Sequence, residues 1–138
     1  MSFTKEEIEY LRTQPLARLA TVAPDGQPDV VPVAFELDGT HLWIGGGETV
    51  LATRKVRNVQ HGHQTVGLMV DDLVSFDPFI ARGIRIYGAA EEPIERVGMV
   101  RPGYYMRVTP TVSWSCNMEG EPVGGTWYRS RKVVHSPV

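Results

Sequence analysis

The sequence predicts a mainly β protein, an antiparallel barrel in preference to a sandwich, with about five or six strands and two short helices. Three observations carry that expectation. Apolar residues alternate with others over short runs, most clearly at Val31, Val33, Phe35 and Leu37. Turn chemistry punctuates the runs at Pro24-Asp25-Gly26 and Asp38-Gly39, as antiparallel neighbours require. Helical periodicity is confined to short stretches, which does not supply the crossovers of a parallel sheet.

Taken in order, Thr4-Lys5-Glu6-Glu7 has the capping-box pattern with Thr4 as N-cap, and Phe3 and Ile8 stand at the staple positions on either side. A short helix starts there and ends before Pro15, because the residue preceding a proline is pushed out of the α region. Leu16 to Ala23 reads as a strand closed by Pro24-Asp25-Gly26, and the next strand begins near Pro28. Its odd positions face a core, while Val30, Pro32, Ala34 and Glu36 face away; Pro32, lacking an N–H, marks a sheet edge or a bulge. Asp38-Gly39 is a two-residue hairpin signal leading into Leu42-Trp43-Ile44. Ala52, Val56 and Val59 recur at helical spacing and give a second helix one buried stripe, with Gly62 at its stop. Thr65 to Val70 is a strand by its β-branching, followed by an acidic loop through Pro78-Phe79. Arg82 to Ala90 alternates again, Pro93 ends it, and Tyr104 to Trp114 is a last long strand broken near Pro110. Glu119 to Gly125 is punctuated by Gly and Pro and is expected to be a mobile loop.

Length predicts one domain over residues 1–138, since a chain of this size supports a single core. The formal charge of −2 argues against a nucleic-acid partner, which calls for a basic excess on one face. No run approaches the roughly 18 apolar residues of a membrane span, and no basic segment followed by an apolar one opens the chain. A soluble, cytoplasmic protein is therefore expected. Cys116 is the single cysteine and reads as a free buried thiol. The histidines do not suggest a metal: His61 and His63 would lie about 200° apart on a helix, and His41 and His135 stand far from them and from each other in the sequence. Asp71, Asp72 and Asp77 lack calcium-loop spacing and read as turn-making and solvation.

The chemistry concentrates between Gly45 and Asn58. Gly45-Gly46-Gly47 follow a strand and let backbone approach a ligand closely, and Arg54, Lys55 and Arg57 come next on a helical pattern, a plausible phosphate seat. The spacing is neither a P-loop nor a dinucleotide fingerprint. On a helical wheel Lys55 lies about 60° from the centre of the apolar stripe while Arg54 points almost opposite it. Lys55 is the better anion ligand of the two, or else a boundary lysine whose stem lies along apolar surface. Thr49 and Thr53 can donate hydroxyl hydrogen bonds to a phosphate or simply cap the helix. Asn58 can brace the clamp or bond backbone.

Several of these segments together resemble one family. Ala17-Arg18-Leu19-Ala20-Thr21-Val22 with Asp25-Gly26-Gln27-Pro28, then Val31-Pro32-Val33-Ala34-Phe35, resembles the opening hairpin of the pyridoxamine-phosphate-oxidase-like split-barrel flavoproteins. Thr53-Arg54-Lys55 with Asn58 resembles their Ser-Arg-Lys phosphate motif and the Lys-x-x-Asn variant of the deazaflavin-dependent members. Val70-Asp71-Asp72, Asp77-Pro78, the run from Arg82 to Glu91, and Arg107-Val108-Thr109-Pro110 with Ser113-Trp114 look like the coenzyme F420 subset. The likeness covers about residues 4 to 115. Two places depart from the pattern: Gly45-Gly46-Gly47 replaces residues that often face the cofactor, and Gly62-His63-Gln64 replaces an Asn-Pro turn.

The resemblance implies a six-stranded antiparallel split β-barrel of the FMN-binding type and a homodimer with cofactor sites at the subunit interface. It implies hydride transfer from reduced coenzyme F420 to a small organic acceptor, with an FMN-dependent oxidoreductase and a non-enzymatic flavin or F420 carrier or sensor as alternatives. Cofactor-binding positions carried over are Pro32, Val33, Ala34, Thr53, Arg54, Lys55 and Asn58; residue chemistry adds Thr49, and Trp114 and Trp127 either close the slot from the second subunit or are plain core or interface aromatics. No catalytic acid or base is assigned, because the cofactor ring carries the hydride chemistry. Pyridoxamine-phosphate oxidation itself is not expected, the basic C-terminal substrate segment of those oxidases being absent.

Overall fold

The structure, a computed structural model, describes residues 3–39, 41–99 and 101–136. A helix, Lys5–Thr13 (α1), leads into strands Ala17–Val22 (β1), Pro28–Val33 (β2), Phe35–Leu37 (β3) and Leu42–Gly46 (β4). A 3-10 turn, Glu48–Ala52, and a helix, Arg54–Gln60 (α2), follow. Strands Thr65–Ser75 (β5), Ile80–Ala90 (β6), Ile94–Val97 (β7), Pro102–Cys116 (β8) and Ser130–Val134 (β9) complete the chain. The mainly β, antiparallel class agrees with the sequence; the strands among the described residues number nine rather than six.

The strand order is β2-β1-β5-β6-β8-β4-β3, with β7 and β9 added on β8. The two ends of that order, β2 and β3, are consecutive in sequence and separated by Ala34. Chain continuity, with no ladder, joins them, and this is where the barrel is split. Pro32 explains part of it: it lies on the edge strand β2, exposed, and has no N–H to offer a further strand. The inward residues form one core, including Leu19, Phe35, Ile44, Leu68, Ile84, Ile86, Met106 and Val108, on which Leu11 of α1 and Val56 and Val59 of α2 pack. Each such side chain, fully buried, contributes about 1.5–3 kcal/mol.

The N-terminal capping box forms as expected: Thr4 Oγ1 accepts from the Glu7 N–H at 3.1 Å and Glu7 Oε1 accepts from the Thr4 N–H at 2.8 Å. Other expectations need correction. Asp71 and Asp72 lie within β5, not in a loop, and their charges are met across the sheet by Arg18 and Arg82. The hairpin after β3 closes on Asp38 and His41, where the Asp38 N–H reaches the His41 carbonyl at 3.1 Å, one residue later than Asp38-Gly39 suggested. Residues 119–125 have no regular structure but are tied down. Asn117 Nδ2 donates to the Glu121 carbonyl at 2.9 Å and the Val123 N–H reaches the Phe79 carbonyl at 2.9 Å. Ala52 is exposed and lies in the 3-10 turn, so only Val56 and Val59 of the expected stripe are buried.

The expected break near Pro110 is a bulge inside an unbroken β8. Tyr87 pairs with Val112 and Gly88 with Pro110, leaving Thr111 as the extra residue. The consequence is a switch of face: Met106, Val108 and Pro110 are buried before the bulge, and Ser113, Ser115 and Asn117 after it. The second half of β8 therefore turns polar groups inward, and Trp114 outward. Ser113 Oγ and His135 Nε2 lie 2.8 Å apart, with the His135 ring 4.5 Å from that of Phe3. Burial, first of all, lowers the His135 pKa below its ordinary 6.5, while Glu7 opposes the shift. The unfolded chain then binds that proton more readily than the folded one, so this contribution to stability is full above about 6.5 and lost as pH falls through the lowered native value. We expect the urea midpoint to drop between pH 7 and pH 5 and His135→Gln to flatten that drop; equal slopes in both proteins would remove His135 as its source.

Candidate functional site

The split in the barrel, the end of β4 and the start of α2 meet around one cavity. Pro32, Val33 and Ala34 line one side, Gly45, Gly46 and Gly47 another, and Thr49, Val50, Thr53 and Lys55 the rest, enclosing about 270 Å³. The glycines have different reasons to be there. A side chain at Gly45 would collide with the Tyr104 carbonyl, and one at Gly103 with the Gly46 carbonyl, so these two permit the close β4–β8 approach. At Gly46 an added Cβ would meet nothing within 4 Å, which leaves bare backbone facing open space. At Gly47 it would lie 2.8 Å from an Arg101 guanidinium nitrogen.

Lys55 is half-buried in the first turn of α2, facing the cavity. Burial lowers its pKa from the ordinary value, and Asp29 of β2 pulls the other way. No ion pair engages Lys55 among the described residues. A partly desolvated ammonium with no contact ion pair among the described residues, beside bare glycine backbone, suits a phosphate. Thr53 is the N-cap of α2, yet its hydroxyl donates back to the Val50 carbonyl at 2.6 Å and caps no helical N–H. It can therefore accept from a ligand but has its proton committed. Thr49 is exposed at the cavity.

Two expected site residues lie elsewhere, and Trp114, expected to act from a second subunit, stands off this chain's own cavity. Arg54 is exposed and outside the cavity lining, as its position on the wheel implied. Asn58 is buried and donates to Thr21 Oγ1 at 2.9 Å, fastening α2 to β1; among the described residues its side chain neither lines the cavity nor bonds backbone. Trp114 lies on the outer face of β8, with Arg85 4.1 Å over its ring and Tyr87 4.8 Å from it. The bulge at Thr111 put it there. Sequence reasoning missed Val50 and Arg101; Arg101 had no signal, because it reaches Gly47 only through β4–β8 pairing.

A split antiparallel β-barrel with a cation-bearing cavity on the split is the class that this architecture defines. Residues 3–101 match the pyridoxamine 5'-phosphate oxidase family, and the chain belongs to it. A curated relative, 5a,11a-dehydrotetracycline/5a,11a-dehydrooxytetracycline reductase of Streptomyces rimosus, is 42% identical over 92 residues, 66% of this chain and 64% of that relative, so the match spans just under two thirds of the relative's length. A solved structure described as an F420 reductase is similar with a TM-score of 0.57 at 22% identity, over 72% of this chain and 90% of its own. A conserved hypothetical protein from Mycobacterium tuberculosis reaches a TM-score of 0.67 at 19% identity, over 91% and 95%. These two likenesses show the fold.

Proposed function

We propose that the chain is an oxidoreductase that delivers a hydride from reduced coenzyme F420 to an organic acceptor with a conjugated double bond. The observation that carries this reading is Lys55: a half-buried cation with no ion pair among the described residues, facing a cavity on the barrel split. Its ammonium would hold the cofactor phosphate, joined by Thr49 as donor, while Thr53, its proton committed to Val50, would accept from a hydroxyl or N–H of the ligand rather than from the phosphate. Backbone along Pro32, Val33 and Ala34 borders the ring, where a fixed N–H dipole stabilises negative charge. The cofactor, when bound, supplies the hydride chemistry on its own ring. Among the described residues lining the cavity Lys55 is the sole titratable one, and it is taken up by the phosphate, so in this reading the proton that completes reduction of the acceptor comes from solvent.

The naming of one relative as a dehydrotetracycline reductase and of one structural neighbour as an F420 reductase supports both the reaction class and the cofactor. The cavity, about 270 Å³, falls below the size of about 300–1,000 Å³ usual for a pocket that buries a whole ligand. We infer that a homodimer supplies the remaining wall, with Trp114 or the exposed Trp127 as its aromatic contribution. An FMN-dependent oxidoreductase is the second reading, since the same clamp accepts the FMN phosphate.

Parallel titration of the purified protein with F420 and with FMN, followed by bound-ligand fluorescence, tests this. We expect saturable F420 binding at the tighter constant. Tight FMN binding without F420 binding would transfer the reading to FMN, and binding of neither would leave only the fold. Cofactor binding without reduction of any enone or quinone offered would make the protein a carrier.

A further inference from the structure

We propose that Asp29 sets which phosphate the Lys55 clamp prefers: its carboxylate stands beside the ammonium and selects for a phosphodiester, with one negative charge, against a terminal phosphomonoester, with a second. This rests on the cofactor reading above and deepens it, because the phosphate of F420 is a diester and that of FMN a monoester. Asp29 lies outside the residues that line the cavity and acts through its charge beside Lys55, so it is a specificity residue and not a ligand contact.

Register and helix spacing bring the two charges together. Asp29 lies directly opposite Thr21 in the β1–β2 ladder, and residues paired in this way project to the same face of the sheet. Thr21 is 1% exposed and accepts from Asn58 Nδ2 of α2 at 2.9 Å, so that face is the one on which α2 sits. Lys55 precedes Asn58 by three residues, which puts both on the same side of the helix. Asp29 also has the parity of Val31 and Val33, which pack on the core, and is therefore a carboxylate on the inward side of an edge strand. It makes no ion pair among the described residues. Burial lowers the Lys55 pKa, and among the described residues only Asp29 opposes it. The other charges nearby are directed elsewhere: Arg18 of β1 is paired with Asp71, and Arg54 and Arg57 lie on the exposed side of α2. For an incoming anion the charges of Lys55 and Asp29 nearly cancel beyond the first contact. One negative charge is met by the ammonium directly, whereas the attraction a second would gain is largely offset by repulsion from Asp29. A monoester carries about −1.5 to −2 at pH 7 and feels this; a diester does not.

The test compares wild type, Asp29→Asn and, as a control with the same charge change, Glu9→Gln on the exposed side of α1. Side-chain NMR of Lys55 gives its pKa and, from its shift on titration, the affinity for methyl phosphate and for dimethyl phosphate at fixed ionic strength. F420 and FMN are titrated by fluorescence. In Asp29→Asn we expect the Lys55 pKa to fall, methyl phosphate and FMN to bind about tenfold tighter, and dimethyl phosphate and F420 only about threefold tighter. Glu9→Gln should stay within about twofold of wild type throughout. An unchanged Lys55 pKa in Asp29→Asn, or equal gains for monoester and diester, would overturn the proposal even if F420 binds. A Lys55 signal that responds to neither small phosphate would overturn it together with the clamp. Failure of wild type to bind F420 or FMN would sink the cofactor reading alone, since the two small phosphates still decide the role of Asp29.

Discussion

Replacing Lys55 by alanine is expected to weaken cofactor binding by about 10–100-fold. A charge-assisted hydrogen bond contributes roughly 1.5–3 kcal/mol, and each 1.4 kcal/mol is a tenfold change in affinity. The partial burial of Lys55 works in the same direction, because an ammonium already stripped of water gives up less hydration when it pairs. Burial also holds its pKa below the ordinary 10.5, so affinity should fall as pH rises through that lowered value, earlier than for a free lysine. The protein itself should tolerate the change: Lys55 makes no ion pair among the described residues, and a truncation at such a site shifts stability by about 0.5 kcal/mol or less. Fluorescence titration of F420 against both proteins is the measurement, with Lys55→Arg beside them. Arginine keeps the charge and should recover much of the loss. Unchanged affinity in Lys55→Ala would remove the residue from the site.

Much of this site was legible because its cues are local. The helical period put Lys55 near the apolar stripe and Arg54 away from it, and that division holds in the structure. Pro32 announced an edge, and the edge became the split beside which the cavity forms. What failed depended on contacts distant in sequence. Asn58 lies next to a cationic cluster in sequence, yet its partner is Thr21, on β1. Thr53 sits at the N-cap as its type suggests, but Val50 claims its proton, which depends on the 3-10 turn that no spacing rule revealed. The break expected near Pro110 is instead a bulge at Thr111, which reverses the facing of everything after it, Trp114 included. The glycines were read as ligand-facing as a group, whereas β4–β8 packing claims Gly45 and leaves Gly46 open.

The strand count differs for related reasons. One expected strand is divided at Ala34 into β2 and β3, and β7 and β9 are almost wholly exposed, so neither displays the alternation that reveals a half-buried strand. They exist because β8, as the longest strand, has edges to spare: Ile94 to Val97 pair along residues 102–105, and Ser130 to Val134 along residues 112–116. A strand of exposed residues gains little from burial and must be held by its ladder and by whatever side chains cross to it. For β9 those include an ion pair, Arg131 with Glu7, that ties the strand to α1.

That link makes Glu7 the position where substitution should cost the fold most. Glu7 is 2% exposed and uses both oxygens: Oε1 accepts from the Thr4 N–H at 2.8 Å and from Arg131 at 3.0 Å, while Oε2 accepts from Ser115 Oγ at 2.5 Å and from Arg131 at 3.1 Å. One carboxylate thus closes the capping box of α1, satisfies the inward-facing Ser115 of β8 and anchors β9. In Glu7→Ala the buried Ser115 hydroxyl loses its partner, at about 1–3 kcal/mol. The N-terminal cap is weakened by about 0.5–2 kcal/mol. Arg131 is half-exposed and regains water, so its share is small. Because these groups touch one another the losses do not simply add, and a total of about 3 kcal/mol is expected, lowering Tm by roughly 10 °C in a chain of this length. Glu7→Gln keeps an acceptor for the Thr4 N–H and can donate to Ser115, so it should lose only about 1 kcal/mol. Urea unfolding of the three proteins orders them, and amide exchange across Ser130–Val134 should quicken in Glu7→Ala before global unfolding. A Glu7→Ala protein as stable as wild type, or with β9 exchanging at the wild-type rate, would show that the fold holds its last strand without this carboxylate.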